Sequence, residues 1–246
     1  QRNPFDGEAY LLVAESRERA GDTATAAKLY AIGSQHAPRN RRAHAWLADH
    51  YARQGDYALM LGQVDELMRM LIRGHGQMFP SVGALVADPT SRAILVQFLG
   101  DQAPPWREAF LRWFAAQADI GDALSAVFHP LRTAAVPLTA RERQVWIERL
   151  ARDGRAGEAY ILWVNGLEPE RRTSVGNVYD GGFELTPDDG GFGWQFKRVA
   201  GASIRQEPQQ GATDKLALVV EFHDQRVPFE HVQQQLALPA GRYTFR

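Results

Sequence analysis

The sequence predicts an α+β multidomain protein, with an N-terminal α-solenoid of paired helices followed by an antiparallel β-sandwich. Three observations predict it. Ala20-Gly21-Asp22 is echoed by Gln54-Gly55-Asp56, so two turns lie 34 residues apart, a spacing that suits two-helix repeats burying their apolar faces by stacking. Through the first two thirds of the chain, apolar residues recur at three- and four-residue spacing; in the last third they alternate. That change from a period of 3.6 to one of 2 marks the passage from helix to strand. Between the two parts, Glu168 to Gly176 is polar and charged and carries Pro169 and Arg171-Arg172, as a linker does. The expected parts are a helical-repeat domain over 1–168, a linker over 169–178 and a β domain over 179–246.

Composition narrows the function. At 246 residues the chain has room for one large or two ordinary domains, and 45% hydrophobic residues against 23% charged supply a core. A formal net charge of −1 gives no reason to expect nucleic acid or an anionic membrane as partner. The absence of cysteine excludes disulfides, thiolate nucleophiles and cysteine-based zinc sites. No apolar run approaches the roughly 18 residues that span a bilayer, and no signal peptide is visible. Because the chain begins at Gln1, it reads as a processed piece, and membrane attachment is expected only through an anchor upstream of it.

The helices follow in order. Phe5 to Ala20 reads as a helix with Tyr10, Val13, Ala14 and the stem of Arg17 on one side, and Gly21-Asp22 turns it. Thr23 is expected to cap a second helix running to about Ala37, on which Ala26, Ala27, Tyr30, Ala31 and Gly33 share a face. Small residues there allow close helix approach while Tyr30 fills the groove, and Pro38 ends the helix. Counted from Gly7, the small, aromatic, small and proline positions Ala26, Tyr30, Gly33 and Pro38 resemble the tetratricopeptide (TPR) pattern. Counted from Arg41, the second repeat places Leu47, Ala48 and Tyr51 on its first helix and Met60, Val64 and Leu67 on its second. It departs from the pattern at Met60, usually small, and at Ile72, usually proline.

Gly74-His75-Gly76 and Phe79-Pro80 break the period. Asp88-Pro89-Thr90 then opens a helix to about Leu99, and Pro104-Pro105 opens another carrying Trp106, Phe110, Leu111, Trp113 and Phe114 on a core-facing side. Gly121-Asp122 begins a helix through about Leu131. Thr139 with Glu142 forms a capping-box signature ahead of Val145, Trp146, Leu150 and Ala151. Gly154 turns this helix into one from Arg155 to about Leu167. Gly121 and Gly154 lie 33 residues apart, so about four helix pairs are expected, the middle ones degenerate, with a concave surface for a protein partner.

In the last part, Phe192 to Lys197, Leu216 to Phe222 and Val232 to Leu238 read as strands, and Pro239-Ala240-Gly241 turns toward Tyr243 and Phe245. Asp180-Gly181-Gly182-Phe183-Glu184 resembles the opening strand of galactose-binding-like jelly rolls, a group that includes many carbohydrate-binding modules; Asp180 stands where Asn is usual. Phe192-Gly193-Trp194 resembles their second strand, and Gln234-x-Leu236-x-Leu238-x-x-Gly241-x-Tyr243 resembles one of their hairpins. Six strands at most can be counted where this type has about eight. The sandwich is therefore expected to be incomplete, or its open edge to be closed by another chain in an oligomer. A TPR-like solenoid followed by such a domain also resembles bacterial proteins associated with exopolysaccharide production. That resemblance implies a periplasmic protein, or one anchored facing the periplasm; the absence of cysteine suits the cytoplasm equally.

Sugars are held by an aromatic ring against the sugar face and polar side chains on the hydroxyls. The candidate ligand-binding residues are Trp194, Arg198, His223, Gln233, Gln235 and Tyr243. Trp194 and Tyr243 also match packing positions of the resembled fold, and Gln233 and Gln235 also read as solvent-exposed. In the resembled domains the Glu after Phe helps hold a structural calcium; this implies Glu184 as a ligand, with Asp188-Asp189 adding charge nearby. Arg41, Arg42, Arg69 and Arg73 are the candidate partner-binding residues of the helical part. The seven histidines form no metal-binding pair, and no nucleophile elbow is present. The glycine-rich Gly190-Gly191-x-Gly193 lacks the strand-to-helix setting and the lysine of a phosphate cradle. The expected function is a non-enzymatic scaffold in exopolysaccharide production, docking a protein through the solenoid and polysaccharide through the β domain. The alternatives are a scaffold purely for proteins, and an enzyme with a site between the domains.

Overall fold

The computed structural model of the chain describes residues 7–71, 74–117, 121–176, 178–187, 190–208, 215–223, 226–238 and 241–244. These residues form eleven α-helices and two small two-stranded antiparallel sheets, an α+β arrangement that is mostly helical. They divide into two compact units, Gln1–Leu138 and Thr139–Arg246. The division precedes the boundary expected at residue 168, because the last two long helices group with the C-terminal segment.

The N-terminal unit opens with α1 (Gly7–Arg19), α2 (Thr23–His36), α3 (Arg41–Gln54) and α4 (Tyr57–Met70). Consecutive helices pack on one another. Gly21 and Gly55, the two echoed turn residues, both have φ 77°, a left-handed conformation that favours glycine. Between α1 and α2 the core is Leu11, Ala14, Ala26 and Tyr30, continued by Ala43 and Leu47 of α3. A Cβ on Gly33 would stand 2.6 Å from Leu11 Cδ2, so the small residue sets how closely α2 approaches α1. Two local expectations change. Leu11 is buried and Val13 is 47% exposed, so α1 presents a face rotated from the one expected. Asp22 caps α2 in place of Thr23, its Oδ1 accepting the Thr25 N–H at 3.1 Å, since a carboxylate reaches the free N–H groups of a first turn well.

Tyr30 is fully buried, its ring 4.5 Å from that of Trp46, and its hydroxyl donates to Glu18 Oε2 at 2.8 Å. Burial, then the Glu18 carboxylate, pushes its phenol from 10.0 up to about 12. A group whose pKa is raised by folding leaves stability intact below its unfolded pKa and removes it as pH climbs through the folded one. Stability against urea should therefore hold up to about pH 10 and decline toward about pH 12. Tyr30→Phe should flatten that decline in unfolding curves collected across the alkaline range.

Beyond α4 a one-turn 3-10 helix (His75–Gln77) leads to α5 (Phe79–Ala84), α6 (Pro89–Gln102), α7 (Arg107–Ala115) and α8 (Ala123–Leu131). Here packing links alternate helices: α4 with α6, α6 with α8, and α5 with α7. Phe79-Pro80 begins a short helix where a break was expected, because proline in a first turn forfeits no helical hydrogen bond. Trp106, Phe110, Leu111 and Phe114 are buried as the sequence indicates. Trp106 Nε1 donates to Asp65 Oδ1 at 2.9 Å, tying the start of α7 to α4. Beside it, Arg107 is only 3% exposed and donates to the carbonyls of Leu99, Val136 and Pro137 at 3.1, 2.9 and 3.1 Å. These contacts tie the end of α6 and the segment after α8 to α7.

The C-terminal unit contains α9 (Ala140–Arg152), α10 (Ala156–Asn165), α11 (Pro169–Arg172), β1 (Gln195–Phe196), β2 (Ala202–Pro208), β3 (Leu216–Phe222) and β4 (Val232–Gln233). The capping box is present in both directions, with Glu142 N–H on Thr139 Oγ1 at 3.2 Å and Thr139 N–H on Glu142 Oε2 at 2.8 Å. β3 falls where expected. β2 was not expected; it pairs antiparallel with β3 from Ala202 opposite Phe222 to Pro208 opposite Leu216. Alternation puts Ile204, Leu218 and Val220 on one face and Arg205, Val219 and Glu221 on the other. Gln206 Nε2 donates from the apolar face to the carbonyls of Phe183 and Leu185, at 2.6 and 2.7 Å. The other two strands are shorter than the alternating runs suggest. Among the described residues Gln195–Phe196 pairs with Val232–Gln233, and the Lys197 N–H adds a bond to the His231 carbonyl at 2.8 Å. Gln234 then turns its amide to the Tyr179 carbonyl, at 2.8 Å, and the chain leaves the ladder. Ile72, Pro239, Ala240 and Phe245 lie outside the described residues. No helix among the described residues is long and apolar enough to cross a membrane.

Candidate functional site

Tyr160 and Trp163 lie one helical turn apart on α10, and two later segments pack against them. Trp163 meets Tyr179 edge to face, ring centroids 4.8 Å apart. Phe192 meets Tyr160 at 5.2 Å with the rings at 88°, and stands 5.8 Å from Trp163. Such edge-to-face contacts suit the charge distribution of aromatic rings. Gly191, immediately before Phe192, has φ 66°, and a Cβ there would fall 2.2 Å from Trp163 Cδ1. Only a hydrogen fits against the indole, so Gly191 sets how Phe192 is presented.

Tyr179 is held by the turn that follows it. Asp180 is buried and has φ 46°, a left-handed conformation in which Asp and Asn are enriched among non-glycine residues. Its Oδ1 accepts the Glu184 N–H at 2.8 Å and its Oδ2 the Leu185 N–H at 3.1 Å. Its carbonyl accepts Trp194 Nε1 at 2.9 Å. The Asp180 carboxylate thus closes this turn with an acceptor for each of two backbone N–H groups.

Tyr160, Tyr179 and Phe192, with Gly176 and the run from Gln235 to Leu238, line a pocket of about 220 Å³. Among the described residues no charged side chain lines it. Its residues with polar side chains are Gln235, Tyr160 and Tyr179, the Tyr179 hydroxyl being buried. Gln235 is exposed. A part-exposed tyrosine beside an exposed glutamine suits an uncharged ligand that has both apolar and hydrogen-bonding parts.

Of the six ligand-binding candidates, Gln235 alone lines this pocket. Trp194 packs on Phe183, rings 4.6 Å apart, and braces the Asp180 turn. Gln233 lies in β4, donating to the Glu230 carbonyl at 2.6 Å and accepting from Lys197 Nζ at 3.2 Å. Arg198, His223 and Tyr243 are exposed. Glu184 Oε2 accepts the Leu216 N–H at 3.0 Å. Among the described residues no His, Asp and Glu side chains gather as metal ligands would, and Asp188-Asp189 lie outside those residues. In the N-terminal unit, Arg41 donates to the Met70 carbonyl at 3.3 Å, Arg42 pairs with Glu15 at 2.7 Å, and Arg69 pairs with Asp65 at 2.7 Å. Arg42 and Arg69 stay largely exposed, and exposed pairs of this kind are weak enough for a partner to displace. Arg73 lies outside the described residues. A second cavity, about 520 Å³, runs between α6 and α8, with Ala93, Val96 and Ala126 within it and Arg92 and Asp101 along it.

Tyr160, Tyr179, Phe192 and Leu238 line the pocket and were not among the residues that the sequence singles out as candidates. The available signal was the pair Tyr160 and Trp163 at i, i+3, which marks an aromatic stripe on α10 but not what covers it. Comparison of the chain with protein-family models, with curated proteins and with solved structures finds no match.

Proposed function

We propose that the protein is a non-enzymatic scaffold that binds polysaccharide through its C-terminal unit and a protein partner through its N-terminal helices. In this reading α1 to α4 are two TPR-like repeats of a partner-docking solenoid. The residues after Tyr179 are the described part of a jelly-roll sandwich of the carbohydrate-binding kind, and the setting is bacterial exopolysaccharide production outside the cytoplasm. The observation that carries the reading is the pocket lined by Tyr160 and Gln235, where a part-exposed ring suited to a sugar face stands near an exposed polar residue. The groove between α6 and α8 supports partner docking, since it sets small apolar side chains between an arginine and an aspartate.

The test is sedimentation with insoluble polysaccharides and binding to a glycan array, with wild type and Tyr160→Ala side by side. The expected result is retention of the wild-type chain by at least one polysaccharide and a loss of about tenfold or more in Tyr160→Ala, the order expected for removing a stacking ring. Near-UV circular dichroism checks that the variant remains folded. A chain that no glycan retains, but that captures a protein through its helices, would identify a scaffold purely for proteins.

A further inference from the structure

We infer that the chain self-associates through β3: two copies pair antiparallel along this edge, with Val220 facing Val220 of the second copy, and join their two hairpins into one sheet. The ladder shows which groups are free to do so. The His223 N–H bonds the Gly201 carbonyl at 2.9 Å, and bonded pairs alternate with unbonded ones along an antiparallel ladder. The bonded pairs are therefore Ser203 with Glu221, Arg205 with Val219 and Glu207 with Ala217. Leu216, Leu218, Val220 and Phe222 turn their N–H and C=O groups away from β2. Glu184 Oε2 takes the Leu216 N–H at 3.0 Å, in keeping with that direction. Among the described residues no other strand pairs with β3. The far edge of β2 is blunted, since Pro208 lies on its outward side and has no N–H to offer. β3 has no such guard. None of its apolar residues from Leu216 to Val220 is buried, and Phe222 is 56% exposed. An apolar edge without proline or bulge invites another strand.

A second copy is the occupant because the edge is complementary to itself in one register. With Val220 on the two-fold axis, Leu218 and Phe222 bond Phe222 and Leu218 of the second copy. The outward groups of Leu218, Val220 and Phe222 are then all used, and the Leu216 bond to Glu184 stays intact. Centring on Leu218 or Val219 would draw Leu216 into the ladder and displace Glu184. Centring on Glu221 would set two carboxylates directly opposite, which is repulsive. The charges favour Val220 as well. Glu221 then lies opposite Val219 of the second copy, in the row that continues to that copy's Arg205. It keeps its own Arg205 at 2.7 Å. Each carboxylate thus has a guanidinium on both sides, its own and, beyond Val219, that of the second copy. The other face brings together Ile204, Leu218 and Val220 of both copies.

Sedimentation velocity of the full chain over a concentration series should show a reversible dimer with a Kd of about micromolar order, as small interfaces give. Val220→Pro removes an outward N–H and no bond between β2 and β3, so it should weaken the dimer at least about tenfold. The chain has no cysteine, so single cysteines report the register. Val220→Cys should cross-link to itself under mild oxidation, because facing Cα atoms about 5.5 Å apart suit a disulfide. Leu218→Cys and Phe222→Cys should each stay uncross-linked alone and cross-link when mixed. A dimer indifferent to Val220→Pro would overturn the inference, as would Leu218→Cys cross-linking to itself in preference to Val220→Cys. A chain that sediments as a monomer throughout the series would also overturn it, and would leave the edge to a strand of another protein.

Discussion

Arg107→Met is expected to destabilise the N-terminal unit by roughly 2 kcal/mol, because a buried carbonyl deprived of its donor, here that of Leu99, costs about 1–3 kcal/mol, and the part-buried carbonyls of Val136 and Pro137 lose their donor with it. The guanidinium is 3% exposed and serves the carbonyls of Leu99, Val136 and Pro137 at once. Methionine preserves the stem's packing volume and supplies no N–H, so the loss measured is that of the hydrogen bonds and the cation. Arg107→Lys keeps the charge but not the planar fork that reaches several acceptors, and it should fall between wild type and Arg107→Met. Urea unfolding followed by far-UV circular dichroism measures both. An Arg107→Met variant as stable as wild type would mean that these carbonyls find other donors, and that Arg107 does not hold α6, α7 and the segment after α8 together.

Gly191→Ala is expected to be the most damaging single methyl in the C-terminal unit. A left-handed backbone costs a non-glycine residue about 1–2 kcal/mol, and forcing a methyl into a filled space costs about 1–3 kcal/mol more. Both apply, since φ is 66° and the new carbon would stand 2.2 Å from the Trp163 ring. The unit should lose about 3 kcal/mol, and the near-UV circular dichroism of the Trp163, Tyr179 and Phe192 cluster should change with it. Polysaccharide retention should fall too, because Phe192 forms one wall of the pocket. Gly157→Ala is the control: a Cβ at Gly157 meets nothing within 4 Å, so stability and retention should stay close to wild type.

The helices were the legible part of this chain because their signals are local. The repeated glycine turns, the alanine and tyrosine face of α2, and the capping box at Thr139 each lie within one or two helices, and each appears in the structure. The period could not say which helices belong together. Gly121 and Gly154 have repeat-like spacing, yet α9 and α10 join the C-terminal unit, since Trp163 is packed by Tyr179 and by Phe192. Strands were less legible for the same reason. β2 reads as an unremarkable polar run until β3 is set beside it, and pairing depends on neighbours distant in sequence. The pocket was the least legible, because its walls come from α10, from the turn at Asp180 and from the run after β4. Of the candidates Gln235 alone lines it, on the polar side of an alternating stretch.

The Thr139 capping box has a consequence for any melting experiment. It opens the C-terminal unit with a helix start made from that unit's own side chains, and each unit has its own buried set, Tyr30 and Phe110 in one and Trp146 and Trp163 in the other. A chain built this way has no guarantee of all-or-none melting, and a single midpoint for it is not a defined quantity. Its calorimetric profile is better fitted as two overlapping endotherms. Arg107→Met and Gly191→Ala then become markers for them, since each displaces one endotherm and leaves the other as an internal thermometer.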